Sequence, residues 1–185
     1  YRPYRSEYDR LKKLELTWDQ QARFIEECEK YGLQSMTTVF TRGDVERILS
    51  MSWAALKVAS YDCGSLPMIM ALSEGSKKLY ISTGASYDEE VQATANYLTK
   101  NGLSYALLHC VTIYPTPLDK VNLRRMGWLR TMVSEVGFSD HSLVSESGVL
   151  AAMAAVYLDA DVIERHYTCL PAGESKDGPV SIGSS

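Results

Sequence analysis

The stretch Lys78-Leu-Tyr-Ile-Ser82 is a short apolar run with the length and composition of a buried strand. An amphipathic pattern follows from residue 86 to residue 100, and Asn101-Gly102 supplies residues that commonly end a helix. The chain then returns to an apolar run, Tyr105-Ala-Leu-Leu-His-Cys110. A strand, a helix and a strand in this order predict a right-handed βαβ unit with two parallel strands.

The same alternation extends in both directions along the chain. We predict strands at residues 35–40, 54–60, 78–82, 105–110, 136–138 and 162–167. We predict helices at residues 17–31, 44–50, 66–73, 86–100, 122–134 and 146–158, with capping boxes at Thr17-x-x-Gln20 and Ser86-x-x-Glu89. Six strands that each follow a helical segment predict an α/β protein with a parallel sheet.

Two architectures fit this pattern: a doubly wound sheet and a (β/α)8 TIM-type barrel. The sequence has no P-loop motif and no glycine-rich dinucleotide motif after the first strand, which disfavours a nucleotide-binding doubly wound sheet. Polar residues instead stand at the C-terminal end of nearly every predicted strand, as is typical of barrels. These residues are Thr38, Ser60, Ser82, His109, Ser139 and His166.

The length of the chain bears on how much of a barrel it forms. A complete barrel has eight strands and takes about 250 residues. Six predicted strands indicate that two are missing, and we therefore predict that residues 1–185 form a single partial barrel domain. Residues 171–185 are rich in glycine, proline and serine, which predicts a loop-like tail.

The composition disfavours several classes of partner. The net charge of -4 gives no reason to expect nucleic acid or an anionic membrane surface. No apolar run approaches the ~20 residues that span a bilayer, and the polar, aromatic start at Tyr1 is not a signal peptide. The cysteines form no C-x-x-C pair, which predicts reduced thiols in a cytoplasmic protein. They are Cys28, Cys63, Cys110 and Cys169.

Two of the three histidines follow consecutive predicted strands. His141 and His166 would lie side by side in a barrel, so their imidazoles could converge on one divalent ion, with carboxylates or water completing the set. The alternative is a pair of structural histidines that form ordinary hydrogen bonds. His109 lies inside an apolar strand, and for this residue we favour a hydrogen-bonded place in the core.

Lys57 interrupts a strand that otherwise looks buried. An unpaired buried ammonium is costly, so Lys57 must meet either a carboxylate in an internal salt bridge or a bound anion such as phosphate. The sequence leaves both open. Hydroxyl groups that could surround an anion come from Ser60, Ser82 and Ser139, although serines at strand ends also cap helices.

Three further residues could contact a sugar. Tyr114 begins the stiff loop Tyr114-Pro-Thr-Pro117, and an aromatic ring in such a place can flank a sugar ring. Asp62 and Asp177 are loop carboxylates that could accept hydrogen bonds from sugar hydroxyls. The alternative for both aspartates is a solvated turn.

Five motifs occur in order along the chain: Lys57-Val-Ala-Ser60, Ser82-Thr-Gly84, Leu107-Leu-His-Cys-Val-Thr-Ile-Tyr-Pro-Thr-Pro117, Gly137-Phe-Ser-Asp-His141 and Glu164-Arg-His-Tyr-Thr168. Together they resemble the N-acetylneuraminate (sialic acid) synthase family, with its spore-coat polysaccharide, legionaminate and pseudaminate relatives. The likeness covers residues 14–182. It implies a (β/α)8 barrel followed by a small antifreeze-like domain. It also implies condensation of phosphoenolpyruvate with N-acetylmannosamine or a related amino-sugar aldehyde, giving a nonulosonic acid and phosphate.

The resemblance also implies roles for particular residues. It implies that His141 and His166 hold a divalent metal, usually Mn²⁺, with Mg²⁺ or Co²⁺ as alternatives, and that with Lys57 they are the catalytic residues. Tyr114 matches a tyrosine that contacts the sugar. The positions that match phosphoenolpyruvate contacts are Thr38, Lys57, Ser60, Ser82 and Ser139. The matches near the sugar are Asp62, where the family usually has glutamate, and Asp177.

Departures from the family pattern define what we expect of the chain. The resemblance implies that residues 1–185 are the catalytic domain, without the first two strands of the barrel and without the antifreeze-like domain. Those two strands would carry a glutamate, an Asn-His-Asn-Gly stretch and a second lysine, and Thr112 replaces a common asparagine. We therefore expect a catalytically incomplete chain whose full-length enzyme is a homodimer in the cytoplasm. A synthase for another sugar, such as a spore-coat saccharide, is the nearest alternative. A synthase-like barrel that binds sugar or phosphate without turnover is the other.

Overall fold

The computed structural model describes residues 4–171 and 173–183, and its centre is a six-stranded sheet. All neighbouring strands of this sheet are parallel. The strands are β1 (Met36–Thr38), β2 (Ala55–Val58), β3 (Lys78–Ser82), β4 (Tyr105–Cys110), β5 (Val136–Asp140) and β6 (Val162–Arg165). A separate short pair joins β7 (Tyr167–Thr168) to β8 (Ile182–Gly183).

The strand order distinguishes between the two architectures that the sequence allowed. A doubly wound sheet reverses its strand order at a switch point. Here every strand pairs with the next one along the chain, from β1 to β6, without a reversal. The sheet therefore curls in one direction as an incomplete TIM-type barrel, and the predicted α/β barrel class is confirmed.

Helices connect the strands on the outside of the curled sheet. The helices are α1 (Tyr4–Lys12), α2 (Trp18–Lys30), α3 (Val45–Ser50), α4 (Leu66–Ser73), α5 (Asp88–Lys100), α6 (Arg125–Leu129), α7 (Val144–Ser147) and α8 (Leu150–Tyr157). Four short 3-10 turns lie at Arg42–Asp44, Ser60–Asp62, Leu118–Lys120 and Gly178–Val180. Among the described residues, no helix has both the length and the apolar composition that crossing a membrane requires.

Side chains alternate between the two faces of each strand, and this alternation separates core from site. In β2, Leu56 and Val58 belong to the hydrophobic core beneath the helices, whereas Lys57 lies between them in sequence and faces the barrel interior. In β5, Phe138 packs in that core and Ser139 faces the interior. Apolar burial on one face of the sheet thus fixes the direction of the polar residues on the other face.

Several predicted elements are confirmed residue by residue. Helix α4 and strands β3 and β4 have the predicted bounds. The capping box at the start of α2 is also present, because Gln20 N donates to Thr17 Oγ1 at 3.3 Å and Thr17 N donates to Gln20 Oε1 at 2.7 Å.

The capping box predicted at Ser86 is wrong by one residue. Helix α5 begins at Asp88, and the N–H of Tyr87 donates to Glu90 Oε2 at 2.8 Å. The hydroxyl of Ser86 donates instead to the carbonyl oxygen of Ser60 at 3.0 Å. A long-range hydrogen bond therefore takes the side chain that local spacing had assigned to the cap.

Two predicted helices are shorter or broken. The helix predicted over residues 122–134 exists only as α6, since Asn122 has a φ of 46°, which lies outside the right-handed helical region. The helix predicted over residues 146–158 is interrupted between α7 and α8, where Gly148 has a φ of 56°. A residue with positive φ thus precedes the late start of α6, and another separates α7 from α8.

The ends of the chain also differ from the prediction. Helix α1 was not predicted, and the tail predicted as a loop contains the turn Gly178–Val180 and strand β8. Residues 1–3, 172 and 184–185, which include the predicted start and parts of the tail, lie outside the described residues. That residues 1–185 form one catalytic domain stays a prediction.

Candidate active site

A cavity of about 520 Å³ opens at the C-terminal ends of the six strands. This is the end of a (β/α) barrel at which active sites form, because the loops after the strands converge there. The polar residues that line it are Thr38, Lys57, Ser60, Tyr61, Ser82, Cys110, Thr112, Tyr114, Ser139, His141, Glu164, Arg165 and His166. The structure thus brings together all but two of the predicted site residues.

The two exceptions are the loop aspartates. Asp62 lies in the 3-10 turn after β2 and is half-buried, but it does not line the cavity. Asp177 is exposed and reaches the site through another residue, because Tyr114 Oη donates to Asp177 Oδ1 at 2.6 Å. Burial of the Tyr114 phenol and this hydrogen bond raise the pKa of Tyr114, so its hydroxyl stays protonated and remains a donor.

Lys57 lies at the bottom of the cavity with only 6% of its surface exposed. Its Nζ donates to Ser82 Oγ at 2.8 Å and forms an ion pair with Glu164 Oε1 at 3.2 Å. The internal salt bridge left open by the sequence is therefore present. An ammonium group has three N–H donors, and the two contacts leave one for an anion in the cavity.

Glu164 is a site residue that the sequence analysis did not single out. Its other oxygen, Oε2, accepts a hydrogen bond from Ser139 Oγ at 2.5 Å, so the carboxylate bridges the ammonium of Lys57 and a hydroxyl. Among the residues that line the cavity it is the one carboxylate. The sequence did contain one indication of this role: Glu164 is a charged residue within a predicted strand, and a buried charge requires an oppositely charged or hydrogen-bonding partner.

Gly84 allows two loops to approach closely beside Lys57. Its N–H donates to Ser60 Oγ at 3.2 Å, which orients that hydroxyl. A Cβ atom at Gly84 would lie 2.7 Å from the carbonyl oxygen of Cys110, too close for any residue but glycine. The motif Ser82-Thr-Gly84 therefore serves packing as well as polar contacts.

The two predicted metal ligands lie next to each other in the same cavity. The ring centres of His141 and His166 are 5.4 Å apart, and the ring of Tyr114 lies 5.1 Å from the first and 6.1 Å from the second. Cys110 Sγ lies 3.8 Å from His141 Nδ1. Burial, together with the neighbouring His166, lowers the pKa of His141. The imidazole of His141 is therefore neutral at pH 7, the form that binds metals.

These residues suit a divalent metal that keeps several open positions. Within residues 4–171 and 173–183, no group of three or more histidine, cysteine or acidic side chains could enclose an ion. The chain would therefore supply two imidazoles, and water or a substrate oxygen would supply the other ligands. That donor set fits a catalytic metal better than a structural one, because structural sites are closed by protein ligands.

His109 has the structural role that we favoured for it. It is 2% exposed, its Nε2 lies 2.7 Å from the carbonyl oxygen of Val121, and its ring stacks on Phe138 with 5.7 Å between ring centres. Burial lowers the pKa of His109. The predicted core position and one hydrogen bond are confirmed, but within the described residues the other ring nitrogen, Nδ1, is buried without a hydrogen-bond partner. This residue is not part of the cavity at the strand ends.

The sequence and fold of this chain are similar to those of known proteins. A family profile described as the NeuB family matches residues 2–185. The chain belongs to the NeuB family. An uncharacterized protein of Methanocaldococcus jannaschii is 35% identical over 94% of this chain and 51% of the relative. The N,N'-diacetyllegionaminic acid synthase of Campylobacter jejuni is 32% identical over 88% of this chain and 49% of the relative.

The NeuB assignment agrees with the fold. The crystal structure of the sialic acid synthetase of Leptospira borgpetersenii matches 99% of this chain and 63% of that one, with a TM-score of 0.90. At 23% identity this likeness supports the fold alone. The chain spans about half the length of the curated NeuB relatives that it matches. Activity, substrates and partners of the whole protein are therefore matters for proposal.

Proposed function

We propose that the full-length protein condenses phosphoenolpyruvate with an amino-sugar aldehyde, giving a nonulosonic acid and phosphate. One observation carries this proposal: the cavity has two chemically different sides. Lys57 with its serine hydroxyls forms one side, and the neutral His141 beside His166 forms the other. The first suits a small, highly charged anion, and the second suits a metal and a neutral carbonyl compound.

The anionic substrate would bind over Lys57. The remaining ammonium donor and the hydroxyls of Ser60 and Ser82 would form charge-assisted hydrogen bonds to its phosphate, and Thr38 and Ser139 line the same wall. These contacts would hold the enol carbon at one distance and one angle from the second substrate. Fixed geometry of this kind replaces a large entropic cost in a reaction of two molecules.

His141 and His166 would hold the metal, for which Mn²⁺ is our first choice and Mg²⁺ or Co²⁺ the alternatives. When bound, such an ion supplies Lewis-acid polarisation of the sugar aldehyde. The hydroxyl of Tyr114, held by Asp177, lies beside the histidines and would position the sugar. Half-burial of both imidazoles limits the access of bulk water to this side.

The bond changes can be assigned to the two sides. C3 of phosphoenolpyruvate bonds to the aldehyde carbon, and water adds to C2 and loses one proton, which ends on the aldehyde oxygen. The bond between C2 and the bridging oxygen then breaks, so that phosphate leaves with this oxygen and with the proton of the new C2 hydroxyl, and C2 becomes a ketone carbon. Glu164 lies between Lys57 and Ser139 and would accept the proton that the water loses.

The names of the relatives support a choice of acceptor sugar for this proposal. The Campylobacter jejuni relative is named for a diacetylated sugar acid, and a Bacillus subtilis relative is named as a spore coat polysaccharide biosynthesis protein. We therefore propose N-acetylmannosamine or a related acylated amino sugar. A spore-coat sugar is the second choice within this class.

Phosphate release tests the proposal. We expect the full-length protein to release phosphate from phosphoenolpyruvate only when Mn²⁺ and an amino-sugar aldehyde are both present, with chelation by EDTA abolishing release. N-acetylmannosamine, a diacetamido sugar and unmodified mannose would be compared. Binding of phosphoenolpyruvate without release, with every sugar and metal, would instead support a barrel that binds without turnover.

A further inference from the structure

A buried ion pair lies directly behind the two histidines. Asp140 precedes His141 at the end of β5, and Arg165 precedes His166 at the end of β6. The two residues are register partners in the parallel ladder, and their side chains form an ion pair. Asp140 is fully buried, and the side chain of Arg165 is 5% exposed.

The guanidinium of Arg165 also holds the backbone beyond His141. Its Nη2 donates to the carbonyl oxygen of Ser142 at 2.9 Å, and its Nη1 lies 3.4 Å from Ser142 Oγ. The other oxygen of Asp140 accepts the N–H of Ser142 at 2.9 Å. Asp140 and Ser142, which flank His141, therefore both contact the guanidinium of Arg165. Arg165 in turn precedes His166 directly.

We propose that Arg165 and Asp140 are positioning residues that set the separation of His141 and His166. This inference rests on the proposed metal site. Backbone pairing alone lets the ends of β5 and β6 move apart. The guanidinium of Arg165 has N–H donors in fixed directions, so it holds the two ends at a fixed separation. Metal ligands must be held within about 0.5 Å of their productive positions, so a fixed spacing would be reflected in metal affinity.

A contribution to stability alone explains this pair less well. Buried ion pairs are weak evidence for stability, because desolvation of the two charges offsets much of their attraction. Within the described residues, the Nε of Arg165 is buried and has no hydrogen-bond partner, which adds a further cost. The energetic cost of burying this ion pair is easier to explain if the pair fixes the positions of His141 and His166.

Arg165→Lys in the full-length protein tests the proposal. Lysine keeps the charge opposite Asp140, but one ammonium cannot also span the carbonyl of Ser142. We expect the dissociation constant for Mn²⁺, measured by titration calorimetry without substrates, to rise at least about tenfold. The dissociation constant for phosphoenolpyruvate, whose proposed contacts are Lys57 and the serine hydroxyls rather than the histidines, should change less than about twofold.

Arg130→Lys is the matched control. Arg130 forms an ion pair with Asp161 at 2.6 Å and donates to the carbonyl oxygen of Ser134 at 2.6 Å. This second arginine fork joins the same two strand regions at their opposite ends, because Asp161 also accepts the N–H of Val136. We expect Mn²⁺ affinity to be unchanged in Arg130→Lys, even if its melting temperature falls.

His141→Ala, measured alongside, separates this inference from the proposed function. Loss of Mn²⁺ binding in His141→Ala with unchanged affinity in Arg165→Lys would overturn the positioning role and leave the metal site in place. Unchanged Mn²⁺ binding in His141→Ala would overturn the metal site itself. If Arg165→Lys does not fold, Asp140→Asn replaces it. Asparagine keeps the size of the side chain but removes the charge that faces Arg165. We expect that variant to weaken Mn²⁺ binding about threefold or more, and unchanged affinity would overturn the proposal.

Discussion

Lys57 is a charged residue in a buried strand, and its contacts with Ser82 and Glu164 determine how its ammonium group is stabilised. Leu56 and Val58 on either side of it are fully buried, so β2 cannot shift to bring the ammonium into bulk water. Ser82 and Glu164 stabilise the charge without using every donor. Under the proposed function, Lys57 would thus be prepared to receive an anion before any substrate binds, which reduces the cost of reorganisation.

Lys57→Met should separate anion binding from folding. Methionine fills a similar volume and removes the charge, so we expect the dissociation constant for phosphoenolpyruvate to rise about 10- to 100-fold. Lys78→Met is the control, because Lys78 pairs with Glu135 at the other end of the neighbouring strand and should not affect this affinity. Fluorescence or calorimetric titration measures both. Equal affinities in Lys57→Met and the wild type would show that the lysine serves only the internal salt bridge.

At the scale of single elements, β5 links the anion side of the cavity to the histidine side. It contributes Ser139 to the first, and His141 follows it on the second. Gly137 lets this strand lie close to both neighbours, because a Cβ there would be 2.5 Å from the carbonyl oxygen of Val162 and from Leu108 Cδ2. The glycine thereby fixes the distance between β5 and β6, the strands that lead to the two histidines.

Gly137→Ala should disturb this packing. The added methyl group meets backbone on one side, so β6 must move, and we expect the free energy of unfolding to fall by about 1–3 kcal/mol. Gly127→Ala is the matched control. It lies in α6 with no atom within 4 Å of the new Cβ, and we expect it to gain up to about 1 kcal/mol. Urea denaturation measures both, and an unchanged midpoint in Gly137→Ala would contradict the close approach.

The elements also show what the sequence can and cannot predict. Helix α4 and strands β3 and β4 are specified locally, by apolar periodicity and by residues that end helices, and their bounds were predicted correctly. The start of α5 was not, because the hydroxyl of Ser86 bonds to Ser60, which is distant in sequence. Long-range partners of this kind leave no local pattern.

The candidate site could be predicted in outline for a related reason. Parallel strands place their C-terminal ends together, so polar residues at strand ends converge whatever the detailed geometry. The role of Glu164, and the pairing of Asp140 with Arg165, depend on the register between β5 and β6. That register is a property of the folded sheet, and no spacing within one strand contains it.

At the scale of the whole molecule, the buried His109 makes stability depend on pH. Burial lowers the pKa of His109 below its ordinary value of 6.5, so the unfolded chain binds a proton more readily than the folded protein. The contribution to stability is therefore complete above about pH 6.5 and is lost as the pH falls through the lower pKa of the folded state.

His109→Gln should flatten this dependence. Glutamine can still donate to the carbonyl of Val121 but does not titrate, so we expect the slope of unfolding free energy between pH 7 and pH 5 to decrease by up to about 1 kcal/mol per pH unit. Denaturation of the metal-free proteins at a series of pH values measures the slope. Parallel curves for wild type and variant would contradict the assignment.

The most direct test of the account follows the carbon atoms of phosphoenolpyruvate in the full-length protein. With fully ¹³C-labelled phosphoenolpyruvate, N-acetylmannosamine or a diacetamido sugar, and Mn²⁺, mass spectrometry should detect a new sugar acid that carries all three labelled carbons. The product should be absent when His141 and His166 are both replaced by alanine. Release of phosphate with labelled pyruvate and no coupled product, or undiminished product from the double variant, would contradict it.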